Sequence, residues 1–256
     1  MSRAGGAIAE RIAWILRGGA PSAYARAVPY TALLLDLDHT LLDSDASEAL
    51  AFEHALAGAG VADPGRYLPT YDAINRALWA RVERAEIAAV EVRTARFAQL
   101  IATTGIAASP EALADAYASG LGAYGELYPG ARDVLDALAA SPGVSLALVT
   151  NGLSEVQRAR IDRLGLGRYF RTIAISSELG TAKPAAAMFE IALAGLGGPI
   201  RSSALMVGDS LTSDIQGGRN AGIATCWYNP HRRSGGDGLV DHEIAALDAL
   251  PALVRR

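Results

Sequence analysis

Ala32-Leu33-Leu34-Leu35 is apolar at every position and stops at a carboxylate, Asp36. A strand with one wet face alternates polar and apolar residues. An unbroken apolar run of this length fits a strand covered on both faces of a parallel sheet. The pattern recurs: Leu146-Ala147-Leu148-Val149 ends at Thr150-Asn151, and Leu205-Met206-Val207 ends at Gly208-Asp209. Helical segments separate the runs. The spacing predicts helices over Ala131–Ala139, Leu153–Leu164, Pro184–Ala194 (with Pro in the first turn), Ser213–Ala221 and Ala245–Val254. It predicts strands over Val144–Val149, Thr172–Ile175, Ala204–Val207, Ile223–Tyr228 and Val240–Ile244. Repeated strand–helix units imply an α/β fold with a doubly wound parallel sheet.

One stretch breaks this rhythm. From about residue 46 to 127 apolar and aromatic residues fall at helical spacing (Tyr67, Tyr71, Ile74, Leu78, Val82), and no strand pattern occurs. We therefore expect an all-helical insert over 46–127, in a core made of 30–45 and 128–256. Residues 1–29, rich in Ala, Gly and Arg, form an N-terminal extension with room for one short amphipathic helix (Ile8, Ile12, Ile15, Leu16). No apolar run approaches the roughly 18 residues of a membrane span. The net charge of −4, without a basic run, argues against a nucleic-acid polymer as partner. One cysteine, Cys226, excludes an internal disulfide and fits a cytoplasmic location. The expected partner is a small molecule, bound by a monomer or homodimer.

In a doubly wound sheet, ligands bind beyond the carboxyl ends of the strands. Asp36, Asp38 and Asp209 are placed there, with Asp214 five residues further on. Residues 36 and 38 share a side if the chain is extended. Carboxylates brought together repel unless a cation or a proton separates them. Oxygen ligands without nearby His or Cys suit Mg²⁺. Lys plus Arg total 23, yet Lys183 is the only lysine. A compact ammonium is thus kept at one position in a chain that otherwise uses the broader guanidinium.

These motifs resemble those of the haloacid dehalogenase superfamily. Asp36-Leu37-Asp38-His39-Thr40 matches its first motif, Thr150 in Leu148-Val149-Thr150-Asn151-Gly152 the second, Lys183-Pro184 the third, and Gly208-Asp209-Ser210-Leu211-Thr212-Ser213-Asp214 the fourth. The order matches, and the gap after the first motif fits a type 1 helical cap. The resemblance implies a phosphohydrolase with Asp36 as nucleophile and Asp38 as acid and base, the latter protonated through nearby negative charge. It further implies Mg²⁺ on Asp36, the Asp38 carbonyl and Asp209, with Asp214 as an outer ligand. Thr150, the Asn151 backbone and Lys183 would hold the phosphate.

The segments Gly208–Pro230 and Tyr71–Trp79 narrow the likeness to the bacterial house-cleaning pyrimidine 5′-nucleotidases. In the cap, Tyr71 and Trp79 would then stack a base, with Asn75 on its edge. Other readings remain open: a sugar-phosphate or other small-metabolite phosphatase, a phosphomutase, or a non-catalytic phosphate-binding module. Asp38 argues against a dehalogenase, since a halide needs no proton to leave. The absence of a cap lysine argues against phosphonate cleavage. His39 is expected to face away from the site.

Overall fold

The computed structural model describes residues 30–254, so the short helix expected within residues 1–29 lies outside the described residues. Six strands form one sheet in the order β3-β2-β1-β4-β5-β6, and every pairing is parallel. They are β1 (Ala32–Leu35), β2 (Ser145–Thr150), β3 (Thr172–Ile175), β4 (Ala204–Gly208), β5 (Ala224–Tyr228) and β6 (His242–Ile244). Central β1 is buried at all four residues. Leu33 and Leu35 face one side, against Val134, Leu135 and Leu138 of helix Ala131–Ala139. Leu34 faces the other, against Met188, Phe189 and Ala192 of helix Ala186–Gly195. The unbroken apolar run reflects these two covered faces.

Between β1 and helix Ala131–Ala139 lie four α-helices: α1 (Ser44–Gly58), α2 (Leu68–Glu83), α3 (Ala89–Thr104) and α4 (Pro110–Ala123). They bury Phe52, Leu56, Tyr71, Phe97, Leu100 and Tyr117 around one core. This is the helical cap. It sits tightly on helix α5 (Ser154–Arg163) of the sheet domain. A Cβ on Gly120 would lie 2.9 Å from the Ala51 Cβ of α1, and one on Gly122 2.9 Å from the Ala159 Cβ of α5. Real Cβ contacts are never that short, so two helix-weakening glycines in α4 are explained by close approach on both flanks.

Three expected helices differ. The one placed over Pro184–Ala194 begins at Ala186. Asn151 brackets the Lys183 backbone from both sides, and Asn220 donates to the Pro184 carbonyl, so residues 183–185 form a turn ahead of the helix. The one placed over Ser213–Ala221 begins as a π turn, Leu211–Ile215, and becomes α-helical only over Gln216–Asn220. Asp214 is pulled inward there, as described next. The final strand and helix are shorter than expected, at His242–Ile244 and Leu250–Val254.

Candidate active site

Register places the acidic residues together. β1 pairs with β4, Leu35 opposite Val207, so Asp36 and Asp209 emerge on neighbouring strands. The Asp36 amide donates to the Val207 carbonyl at 3.0 Å. Thr40 joins the two segments, donating to Asp36 Oδ2 at 3.3 Å and accepting the Asp209 amide at 3.1 Å. Asp214 is fully buried and accepts the Ser210 amide at 3.0 Å. One carboxylate oxygen each from Asp36, Asp209 and Asp214 falls within a 4.8 Å group.

Lys183 is buried among them. Its Nζ donates to Asp36 Oδ1 at 2.5 Å and to Asp214 Oδ1 at 2.7 Å. Burial opposes its charge, but Asp214 and Asp36 outweigh this and raise its pKa. Burial and the Asp214 charge lift Asp36 well above the ordinary carboxylate range, with Lys183 opposing. Burial and Asp214 push Asp209 up to about 6. The Asp214 charge raises the pKa of both Asp36 and Asp209, a crowding of hard oxygen donors that a divalent cation would relieve, so these residues fit Mg²⁺.

Asp38 corrects the sequence reading. Its carboxylate does not join the cluster, although Asp36 and Asp38 were expected to point together. The extended chain ends at Leu35, and Asp38 turns towards α5. There it accepts from Ser44 Oγ at 2.6 Å, Gln157 Nε2 at 2.7 Å and Arg160 Nη1 at 2.7 Å. Burial alone would raise its pKa, but Arg160 and the Ser44 and Gln157 hydrogen bonds outweigh burial and lower it. The expected environment of negative charge is replaced by donors. The Asp38 backbone carbonyl accepts no hydrogen bond among the described residues and remains available to a cation.

Arg160 was missed entirely by sequence reasoning. It is 3% exposed and uses its whole fork. Besides Asp38, it donates to the Leu121 carbonyl of α4 at 2.9 Å and to Ser47 Oγ of α1 at 3.0 Å. One guanidinium therefore ties the sheet domain, two cap helices and Asp38 together. Gln157 and Arg160, spaced i and i+3 on a helix, gave the only signal.

A cavity of about 680 Å³ lies between cap and sheet, walled by Asp36, Asp38, Lys183 and Asp209 below and by Asn75, Trp79 and Arg96 above. Asn151 lines it too, while its side chain holds the Lys183 backbone. Thr150 lies beneath the wall, buried, with its hydroxyl oxygen accepting from Gln157 at 2.7 Å. His39 corrects another expectation: it takes a left-handed φ of 58° and faces the cavity instead of turning away. Tyr71, expected as a stacking residue, is fully buried in the cap core with ring centroids 4.6 Å from Phe52 and 5.4 Å from Tyr117. It points inward because its helical spacing places it on the packed face of α2, with Leu78 and Val82.

The family model of haloacid dehalogenase-like hydrolases matches residues 30–222. The chain belongs to this family. It is 42% identical over 202 residues to the pyrimidine 5′-nucleotidase PynA of Streptococcus pneumoniae, covering 79% of this chain and 85% of that protein. It is 33% identical over 207 residues to the pyrimidine 5′-nucleotidase YjjG of Escherichia coli, covering 81% and 89%. Among solved structures, the putative HAD-hydrolase YfnB of Bacillus subtilis bound to magnesium superposes with a TM-score of 0.81 at 31% identity, covering 90% of this chain and 100% of that one. This haloacid dehalogenase-like hydrolase is a phosphatase, with a phosphate ester as substrate. No helix among its described residues is long and apolar enough to cross a membrane.

Proposed function

We propose that this enzyme is a Mg²⁺-dependent pyrimidine nucleoside 5′-monophosphatase that works through an aspartyl-phosphate on Asp36. The chemistry rests on one observation: a buried Asp36 held by Lys183 within a three-carboxylate cluster at the floor of a capped cavity. The substrate rests on the 42% identity to a protein named for pyrimidine nucleotides.

Asp36, the Asp38 carbonyl and Asp209 would hold the cation, with Asp214 behind them. The bound cation screens the phosphate's negative charge from the Asp36 carboxylate. An Asp36 oxygen attacks phosphorus, and the bond from phosphorus to the ester oxygen breaks. Asp38, which would take up a proton as the phosphate's negative charge enters against the pull of Arg160, gives that proton to the ester oxygen. Water then attacks the phosphoryl group on Asp36 while Asp38 takes a proton back, which releases phosphate and restores the enzyme. Lys183 holds Asp36 in place and offers charge to the phosphoryl oxygens. The Thr150 hydroxyl hydrogen and the Asn151 backbone complete the cradle. The cap closes over the leaving group, with Trp79 offering a flat face.

A phosphate-release screen with Mg²⁺ over nucleoside monophosphates, sugar phosphates and small phosphate esters tests this. The highest kcat/KM is expected on pyrimidine monophosphates. Faster turnover of hexose or polyol phosphates than of every nucleotide overturns the substrate reading and leaves a sugar phosphatase.

A further inference from the structure

Arg96 carries a buried charge with no ion-pair partner among the described residues. It projects from α3 into the cap and is 3% exposed. Its Nε and Nη2 are sealed from solvent and have no hydrogen-bond partner, and no carboxylate lies within ion-pair distance. Its guanidinium lies 4.4 Å over the Tyr117 ring. Its remaining nitrogen, Nη1, donates to Asn75 Oδ1 at 3.4 Å. A buried, unpaired cation is costly, and an apolar side chain of similar volume would cost less. Stability alone therefore gives no reason for Arg96.

Its consequence for Asn75 gives one. A guanidinium has donors and no acceptor. Asn75 must therefore turn its oxygen to Arg96 and its Nδ2 the other way. Nδ2 has no protein partner, is not sealed, and belongs to a side chain on the cavity wall. The cap thus shows the leaving group a fixed N–H donor from an amide that in isolation could present either end. The surrounding charges narrow the acceptor. Asp45, Glu48, Asp72 and Glu83 line the same upper cavity and outnumber its cations, Arg76 and Arg96. They disfavour a carboxylate or a second phosphate, which would also pair with a donor. A neutral carbonyl oxygen satisfies both conditions.

We infer that Arg96 is a positioning residue that fixes Asn75 as a hydrogen-bond donor to a carbonyl oxygen of a neutral leaving group. The inference deepens the nucleotide reading and rests on it. Every pyrimidine base carries a carbonyl at C2, and adenine carries none.

The test compares uridine 5′-monophosphate, ribose 5-phosphate, 3-phosphoglycerate and p-nitrophenyl phosphate on wild type, Asn75→Ala, Asn75→Asp and Arg96→Met. Wild type is expected to favour the uridine nucleotide over ribose 5-phosphate. Both Asn75 variants should lose about tenfold of that selectivity, the worth of one well-made hydrogen bond, through KM and not kcat. Arg96→Met should erode the same selectivity while its melting temperature holds or rises. If the Asn75 variants keep the wild-type selectivity, the inference fails while the nucleotide reading survives. If Arg96→Met melts lower and loses equally on all four esters, Arg96 is a packing residue and the inference fails. If wild type shows no preference for the nucleotide, or prefers 3-phosphoglycerate, the nucleotide reading fails and the inference with it.

Discussion

Replacing Lys183 with Met leaves Asp36 and Asp214 facing each other without the ammonium that now sits 2.5 and 2.7 Å from them. All three side chains are at least nine-tenths buried, so water cannot stand in for the lost charge. Breaking a buried pair from one side costs about 3–5 kcal/mol, because the partner charge is stranded. Lys183→Met should lose that much in urea unfolding with EDTA present, and less in Mg²⁺, where a cation shares the load. Adding Asp214→Asn should recover part of the loss, since the double variant no longer strands two carboxylates. Lys183→Arg keeps the charge but forces a broader group into a packed site, which costs about 1–3 kcal/mol. Phosphate release by Lys183→Arg should drop at least about tenfold, equivalent to roughly 1.4 kcal/mol. An unchanged urea midpoint for Lys183→Met would show that these ion pairs carry no stability. Arg performing as well as Lys would show that the site's width does not explain the chain's single lysine.

Asp36→Asn should abolish steady-state phosphate release while circular dichroism and melting cooperativity stay native; turnover within tenfold of wild type removes Asp36 as the nucleophile. Gly208→Ala touches no charge, yet its Cβ would overlap the Asp214 carboxylate, so activity should fall at least about tenfold with a stability loss of about 1–3 kcal/mol. A fully active Gly208→Ala would mean that Asp214 moves freely. Tyr71→Ala should cost about 3–5 kcal/mol as a core deletion, whereas Trp79→Ala, at a partly buried position, should lower the melting temperature less and raise KM for nucleotides. The opposite pattern would put the base against Tyr71. Burial pushes the Cys226 thiol up to about 12, so a disulfide reagent at pH 8 should label it only after unfolding; labelling of the native protein would show that β5 opens.

Where chemistry follows a strand directly, the sequence carries the answer. Asp36 and Asp209 sit just past apolar runs, and parallel register leaves them no choice but to meet. Asp38 was misread because two-residue alternation holds only while the chain is extended, and β1 ends at Leu35. Its true partners, Gln157 and Arg160, come from a helix more than a hundred residues away, a distance no local pattern spans. Tyr71 and Trp79 share a helix and an aromatic character, but Tyr71 falls on the apolar face with Leu78 and Val82, so its spacing already favoured the cap core over a stacking role. Trp79 lies off that face and lines the cavity wall. The π turn at Leu211–Ile215 was invisible; it accompanies a buried Asp214 that accepts from distant Lys183 as well as from the Ser210 amide.

Arg160 also bears on how far the two lobes are interchangeable. A cap drawn as an insertion between two strands invites grafting, with one lobe kept and another installed to change the clientele. Here the graft would have to supply more than a lining. The guanidinium that steadies Asp38 also takes the Leu121 carbonyl and the Ser47 hydroxyl, both from the insert. A chimera lacking those two acceptors would leave two arms of a buried fork unsatisfied, and the disturbance would arrive at Asp38, the carboxylate proposed to carry the proton, not at the substrate. Such a hybrid inherits a working floor with a mistuned acid. Exchanging specificity in this architecture therefore calls for moving α1, α4 and α5 as one piece, a seam that cuts across the boundary drawn by the chain order.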